Sequence, residues 1–123
     1  MEKEDRIKKI AESIEKALRD REDFITIKNP ETGKFVQFAV FRRKNIIVMD
    51  VPLIELSNEE LNEIKHMLDA EVGRERWSNE PISVQRVFRY DEIDEISKVV
   101  EKIFVEIFDM PNDYDVATEI FPR

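Results

Sequence analysis

The stretch Lys34–Val51, KFVQFAVFRRKNIIVMDV, decides the fold. Two apolar runs, Phe35–Phe41 and Ile46–Val51, flank the polar break Arg42-Arg43-Lys44-Asn45. Both runs are rich in β-branched and aromatic residues and have the length of strands, not helices. A break of this size is an ordinary hairpin loop, so the runs are expected to pair as antiparallel neighbours. In the first run Phe35, Ala39 and Phe41 share one face, and Val36, Phe38 and Val40 share the other. A strand apolar on both faces reads as central in its sheet and covered on both sides by helices.

Three helices are legible around it. Over residues 4–20, Ile7, Ile10, Ala11, Ile14, Ala17 and Leu18 recur at helical spacing with charges opposite. Ser57-Asn58-Glu59-Glu60 is a capping box that starts the second helix. Leu61, Ile64, Met67, Leu68 and Val72 form its apolar stripe, and Gly73 is expected to end it. Asp91 opens a third helix running to about Asp109 and closed by Pro111.

Further strands follow from the same patterns. Phe24–Lys28 is a short strand, joined to the hairpin by the Pro- and Gly-containing turn Asn29–Gly33. Pro81–Tyr90 is a fourth strand, with Ser83, Gln85, Val87 and Arg89 on a mostly wet face and a leading proline that suits a sheet edge. The expected order is α-β-β-β-α-β-α, an α+β domain with an antiparallel sheet of about four strands and three helices. One domain is expected over 1–123, with 1–3 and 112–123 less ordered than the rest.

Composition narrows the function. Apolar residues at 41% give a real core, so disorder is excluded. Twenty basic against 28 acidic residues leave a net charge of −8, which opposes general binding to nucleic acid or anionic lipid. No cysteine is present, so there is neither a disulfide framework nor a thiolate metal site. No apolar window is long enough for a membrane helix, and the charged start MEKEDRIKKI is unlike a signal peptide, so a cytoplasmic protein is expected.

No catalytic constellation emerges. His66 is the only histidine and sits on the polar side of its helix. Ser13, Ser57, Ser78, Ser83 and Ser97 lie in no nucleophile-elbow context. The acids Asp91, Glu92, Asp94 and Glu95, and likewise Asp109, Asp113 and Asp115, lack the spacing of a calcium loop, and the first four are explained as helix-start charges. Neither a metal nor a cofactor is expected, and the chain reads as a non-enzyme.

A family resemblance is carried by Gly33-Lys34-Phe35-Val36-Gln37-Phe38-Ala39. This stretch is similar to the "YVQFA" strand of the YbjN and TY-chaperone branch of the type III secretion chaperone-like superfamily. Ser57–Leu68 and the amphipathic helix 91–108 fall in the places that family would put them. Those chaperones usually carry two strands before the last helix, where only one is legible here. The resemblance implies a chaperone or adaptor that binds an extended segment of a partner protein, commonly as a homodimer. An acidic inhibitory protein that blocks a basic partner surface, of the antitoxin or nucleic-acid-mimic type, is the alternative.

Two sets of residues are the resulting candidates. The third helix is apolar beyond one sheet contact, which makes Ile103, Phe104, Ile107 and Phe108 dimer-interface candidates or else core. Trp77 either plugs the core or anchors a partner beside the fourth strand, with Arg86 and Arg89 meeting acidic client groups.

Overall fold

A computed structural model describes residues 1–52, 56–68, 71–74 and 81–121. The elements are α1 (Lys3–Arg19), β1 (Phe24–Lys28), β2 (Phe35–Phe41), β3 (Ile46–Pro52), α2 (Asn58–Leu68), β4 (Glu71–Arg74), β5 (Pro81–Arg89), α3 (Ile93–Lys102) and β6 (Ala117–Phe121). The strands form one antiparallel sheet in the order β4-β5-β3-β2-β1-β6. The architecture is α+β.

The deciding hairpin forms as the sequence implies. Phe41 pairs with Ile46 and Gln37 with Asp50, across a single 3₁₀ turn at Arg42–Lys44. Asn45 closes that turn at φ 54°, a left-handed conformation that asparagine tolerates better than most residues. The preceding turn is held by Asn29, which is 2% exposed. Its Oδ1 accepts from the Thr32 N–H and hydroxyl at 2.9 Å each, and its Nδ2 donates to the Asp115 carbonyl at 2.9 Å. Gly33 follows at φ 76°, where a side chain is strained.

Two strands were not legible. Val72 and Gly73 do not continue α2 but lie in β4, opposite Val84 and Ser83. The helix ends at Leu68, so Gly73 is not its stop signal. Among the described residues two strands thus lie between α2 and α3, where one was expected. In the tail, Ala117–Phe121 pairs along the whole of β1, from Lys28 opposite Ala117 to Phe24 opposite Phe121. Six strands replace the expected four.

The core lies on one face. Ile25, Ile27, Val36, Phe38, Val40, Ile47, Met49, Val51, Val84 and Phe88 are buried there beneath Ile10 and Ile14 of α1, Ile64 of α2, and Ile96 and Val100 of α3. Burying a side chain such as Phe38 or Phe88 stabilises by about 2–3 kcal/mol. The expectation of helices on both faces is corrected: among the described residues all three pack on this side. Phe35 and Ala39 are half-buried by their strand neighbours alone, while Phe41 stays exposed. Cross-strand shielding had looked like helix cover.

The third helix is one rod with a change of pitch. A 3₁₀ turn at Tyr90–Glu92 leads into α3, and Glu92 Oε1 accepts the Arg89 N–H at 2.8 Å. Past Lys102 the helix widens into a π turn over Ile103–Ile107, marked by the Phe108 N–H donating five residues back to the Ile103 carbonyl at 3.0 Å.

Candidate functional site

Among the described residues, three of the four large hydrophobic side chains that stand exposed, Phe24, Phe41 and Val87, lie on the helix-free face of the sheet. Register aligns Phe24, Ala39, Val48 and Val87 in one row across β1, β2, β3 and β5. At ordinary strand spacing that row spans about 14 Å. Phe41 and its partner Ile46 extend it toward the hairpin tip. Exposure reaches 42% at Phe24, 47% at Phe41 and 57% at Val87. Clustered apolar exposure of this kind marks an interaction surface.

Beside it runs a polar row, Thr26, Gln37, Asp50 and Gln85. A cavity of about 290 Å³ opens between the two rows, lined by Phe24, Thr26, Gln37, Ala39 and Asp50. Asp50 Oδ2 receives only a long contact from Gln85 Nε2, at 3.5 Å. Asp50 Oδ1 is buried and has no hydrogen-bond partner.

Of the residues nominated from sequence, Arg89 lies on this open face, opposite Ile46, and Arg86 does not. β5 is an edge over only part of its length: β3 pairs with it from Ser83 to Arg89 on one side, and β4 covers Pro81–Gln85 on the other, because Glu71–Arg74 turned out to be a strand. Arg86 is on the helix side, 3.1 Å from Glu95 and stacked 4.7 Å from the Phe88 ring centroid. Arg89 is well exposed but sits 3.3 Å from Asp91 and 3.6 Å from Glu92. Both arginines already face carboxylates. Trp77 falls outside the described residues.

The proposed dimer residues are interior. Ile103 and Phe104 are 0% exposed, Ile107 6% and Phe108 5%, all within one chain. Phe104 packs edge-on to Phe108 at 5.3 Å and stacks on Tyr114 at 5.4 Å. The apolar excess of this helix is taken up by α1, α2 and the C-terminal segment, so these side chains present nothing to a second copy.

Sequence reasoning missed a buried polar clasp. Arg6 is 1% exposed, and its guanidinium donates to both Glu101 oxygens, from Nε at 2.6 Å and Nη2 at 2.5 Å. Its Nη1 reaches the carbonyls of Met1, Asn112 and Tyr114 at 2.8–3.0 Å. The Tyr114 hydroxyl donates to Glu101 Oε2 at 2.6 Å, and its ring lies 3.7 Å beneath the guanidinium. Burial opposes the Glu101 charge, yet hydrogen bonds from Arg6 and Tyr114 hold its carboxyl below the usual carboxylate range. Burial, with Glu101 beside it, pushes the Tyr114 hydroxyl well above its ordinary value. The signal was present: Arg6 shares a helix face with Ile10 and Ile14, and Glu101 with Ser97 and Phe104, on the covered stripes.

Among the described residues no catalytic arrangement accompanies it. His66 is exposed. No group of three or more metal-ligating side chains occurs among the described residues. Asp115, one of the acids nominated from sequence, accepts from Lys9 at 3.1 Å and from the Val116 N–H at 2.7 Å. No helix among them is long and apolar enough to cross a membrane.

Comparison with known proteins gives one solved structure to report, the "Crystal Structure of the ExsC-ExsE Complex". A chain of it is similar over 89% of this chain and 90% of its own, at 13% identity and a TM-score of 0.42. No family model matches the chain. No curated protein matches it either.

Proposed function

We propose that this chain is a non-enzymatic, chaperone-like adaptor that holds an extended segment of a partner protein against the open face of its sheet. The observation that carries the reading is the apolar row from Phe24 to Val87 with Phe41 beside it, left exposed while all three helices crowd the other side. An extended segment suits a sheet face because its alternate side chains reach one surface at the period of a strand. The resemblance of Gly33–Ala39 to the YbjN and TY-chaperone branch agrees with this role.

Site-specific photo-crosslinking in a lysate of the source cells tests it. Crosslinkers at Phe41 and Val87 should yield the same discrete protein adduct. One at Glu12, exposed on α1, should not. Equal labelling at all three positions, or none at the sheet positions, refutes the reading. The acidic-inhibitor alternative is separated by salt. At about 1 M, where the Debye length is about 3 Å, an electrostatically held partner is released and one seated on apolar surface is retained.

A further inference from the structure

We infer that the cavity beside Asp50 seats a basic side chain, lysine or arginine, carried by the extended segment of the partner protein. The inference rests on the open face being the partner-binding surface, and adds the chemistry that the face selects.

Asp50 lies in the interior of β3, the strand between β2 and β5 in the sheet. Its Oδ1 is buried without a hydrogen-bond donor, and Gln85 Nε2 reaches Oδ2 only at 3.5 Å. None of the ion pairs among the described residues includes Asp50. A carboxylate oxygen shielded from water with no donor is costly in the free protein, and a cation placed against it removes that cost. The carboxylate is therefore an incomplete half of a pair.

The cavity has the shape of the other half. Its apolar walls are Phe24 and Ala39, and its polar groups are Thr26, Gln37 and Asp50. Lysine and arginine carry an apolar stem and a charged head, and bury the first while the second finds a polar partner. The face of an aromatic ring such as Phe24 is also attractive to a cation. Val48 and Val87, in the adjoining row, would receive an apolar residue two positions from that basic one.

Charge points the same way. The net charge of −8 draws a basic segment toward the protein from a distance. Arg86 and Arg89, the cations once nominated for an acidic client, are already paired with Glu95, Asp91 and Glu92. An acidic side chain in the cavity would meet Asp50 with like charge.

Fluorescence anisotropy with a labelled peptide of repeating Val-Ser-Lys-Ser, which brings valine and lysine to the same face of an extended chain, tests the inference, alongside the same peptide with norleucine for lysine. The lysine peptide should bind at least about tenfold more tightly, the worth of one charge-assisted hydrogen bond. Asp50→Asn should remove that preference, whereas Glu12→Gln, an equal change in net charge on α1, should keep it. The free Asp50→Asn protein should melt no lower than the parent, since it loses an unpaired buried charge. An equal affinity for the two peptides overturns the inference using the unaltered protein alone. So does a lysine preference that survives Asp50→Asn. If Val87→Asp abolishes binding of both peptides while lysine and norleucine bind alike to the parent, the face is a binding surface and only the basic-residue inference fails. If neither Val87→Asp nor Asp50→Asn affects binding, both readings fall.

Discussion

Replacing Arg6 by methionine should destabilise the protein more than any surface substitution. The methionine occupies similar volume but leaves Glu101 buried without its cation and the carbonyls of Met1, Asn112 and Tyr114 without a donor. Breaking a buried pair from one side costs about 3–5 kcal/mol. Total stability for a domain of this size is about 6–18 kcal/mol. A fall of roughly 10–20 °C in melting temperature follows. Urea denaturation followed by circular dichroism measures the loss, and the double cycle with Glu101→Leu measures the coupling. Exchanging both ends of the pair, with Tyr114→Phe to spare its hydroxyl, should recover most of the deficit, because a well-packed apolar replacement is often neutral or better.

The same substitution fixes a sign for pH. In the parent, Glu101 titrates below its unfolded value of about 4.3, so its contribution is complete above that value and fades as pH falls through the folded one. Without Arg6, burial dominates and the folded value rises, which reverses the dependence. The deficit of Arg6→Met should therefore be largest near neutrality and shrink toward about pH 4. A deficit below about 1 kcal/mol, or one that grows on acidification, refutes the clasp as a stabilising unit.

Two smaller perturbations probe the local rules. Ser57→Ala removes the hydroxyl that accepts the Glu60 N–H at 3.2 Å and should cost about 1 kcal/mol, with α2 amides exchanging faster. Gly33→Ala adds a Cβ with nothing within 4 Å of it, so its expected cost of about 1 kcal/mol comes from φ 76° alone. A loss several times larger would mean that the Asn29–Gly33 turn had been displaced.

What the sequence disclosed was local and periodic. The hairpin showed through the apolar runs around Arg42–Asn45, and α2 through Ser57 and Glu60, whose side chains make the reciprocal bonds of the capping box. β4 was hidden because Val72 falls in phase with the α2 stripe, so a four-residue strand was absorbed into the helix. β6 was hidden because Ala117–Phe121 carries few β-branched residues and its only sheet partner is β1, far away in sequence. The clasp left only a partial signal, two charges on covered stripes, for another reason. Charge at a helix position signals solvent unless its partner is known, and Arg6 and Glu101 are 95 residues apart. Of the site, the apolar row was visible as the second face of Phe35–Phe41, but its openness depends on where all three helices go.

The pairing of β1 with β6 has a consequence for how the protein is made. Synthesis delivers β1 and Arg6 early, yet their partners come last: Glu101, Asn112 and Tyr114 lie 95 to 108 residues downstream, and β6 follows them. Until those residues leave the ribosome, the nascent chain holds an open strand edge on β1 and a cation with only the Met1 carbonyl of its acceptors. Long-range closure of this kind slows folding and leaves partly built chains prone to aggregation. A chain stalled before residue 101 carries five of the six strands and still lacks the means to lock them.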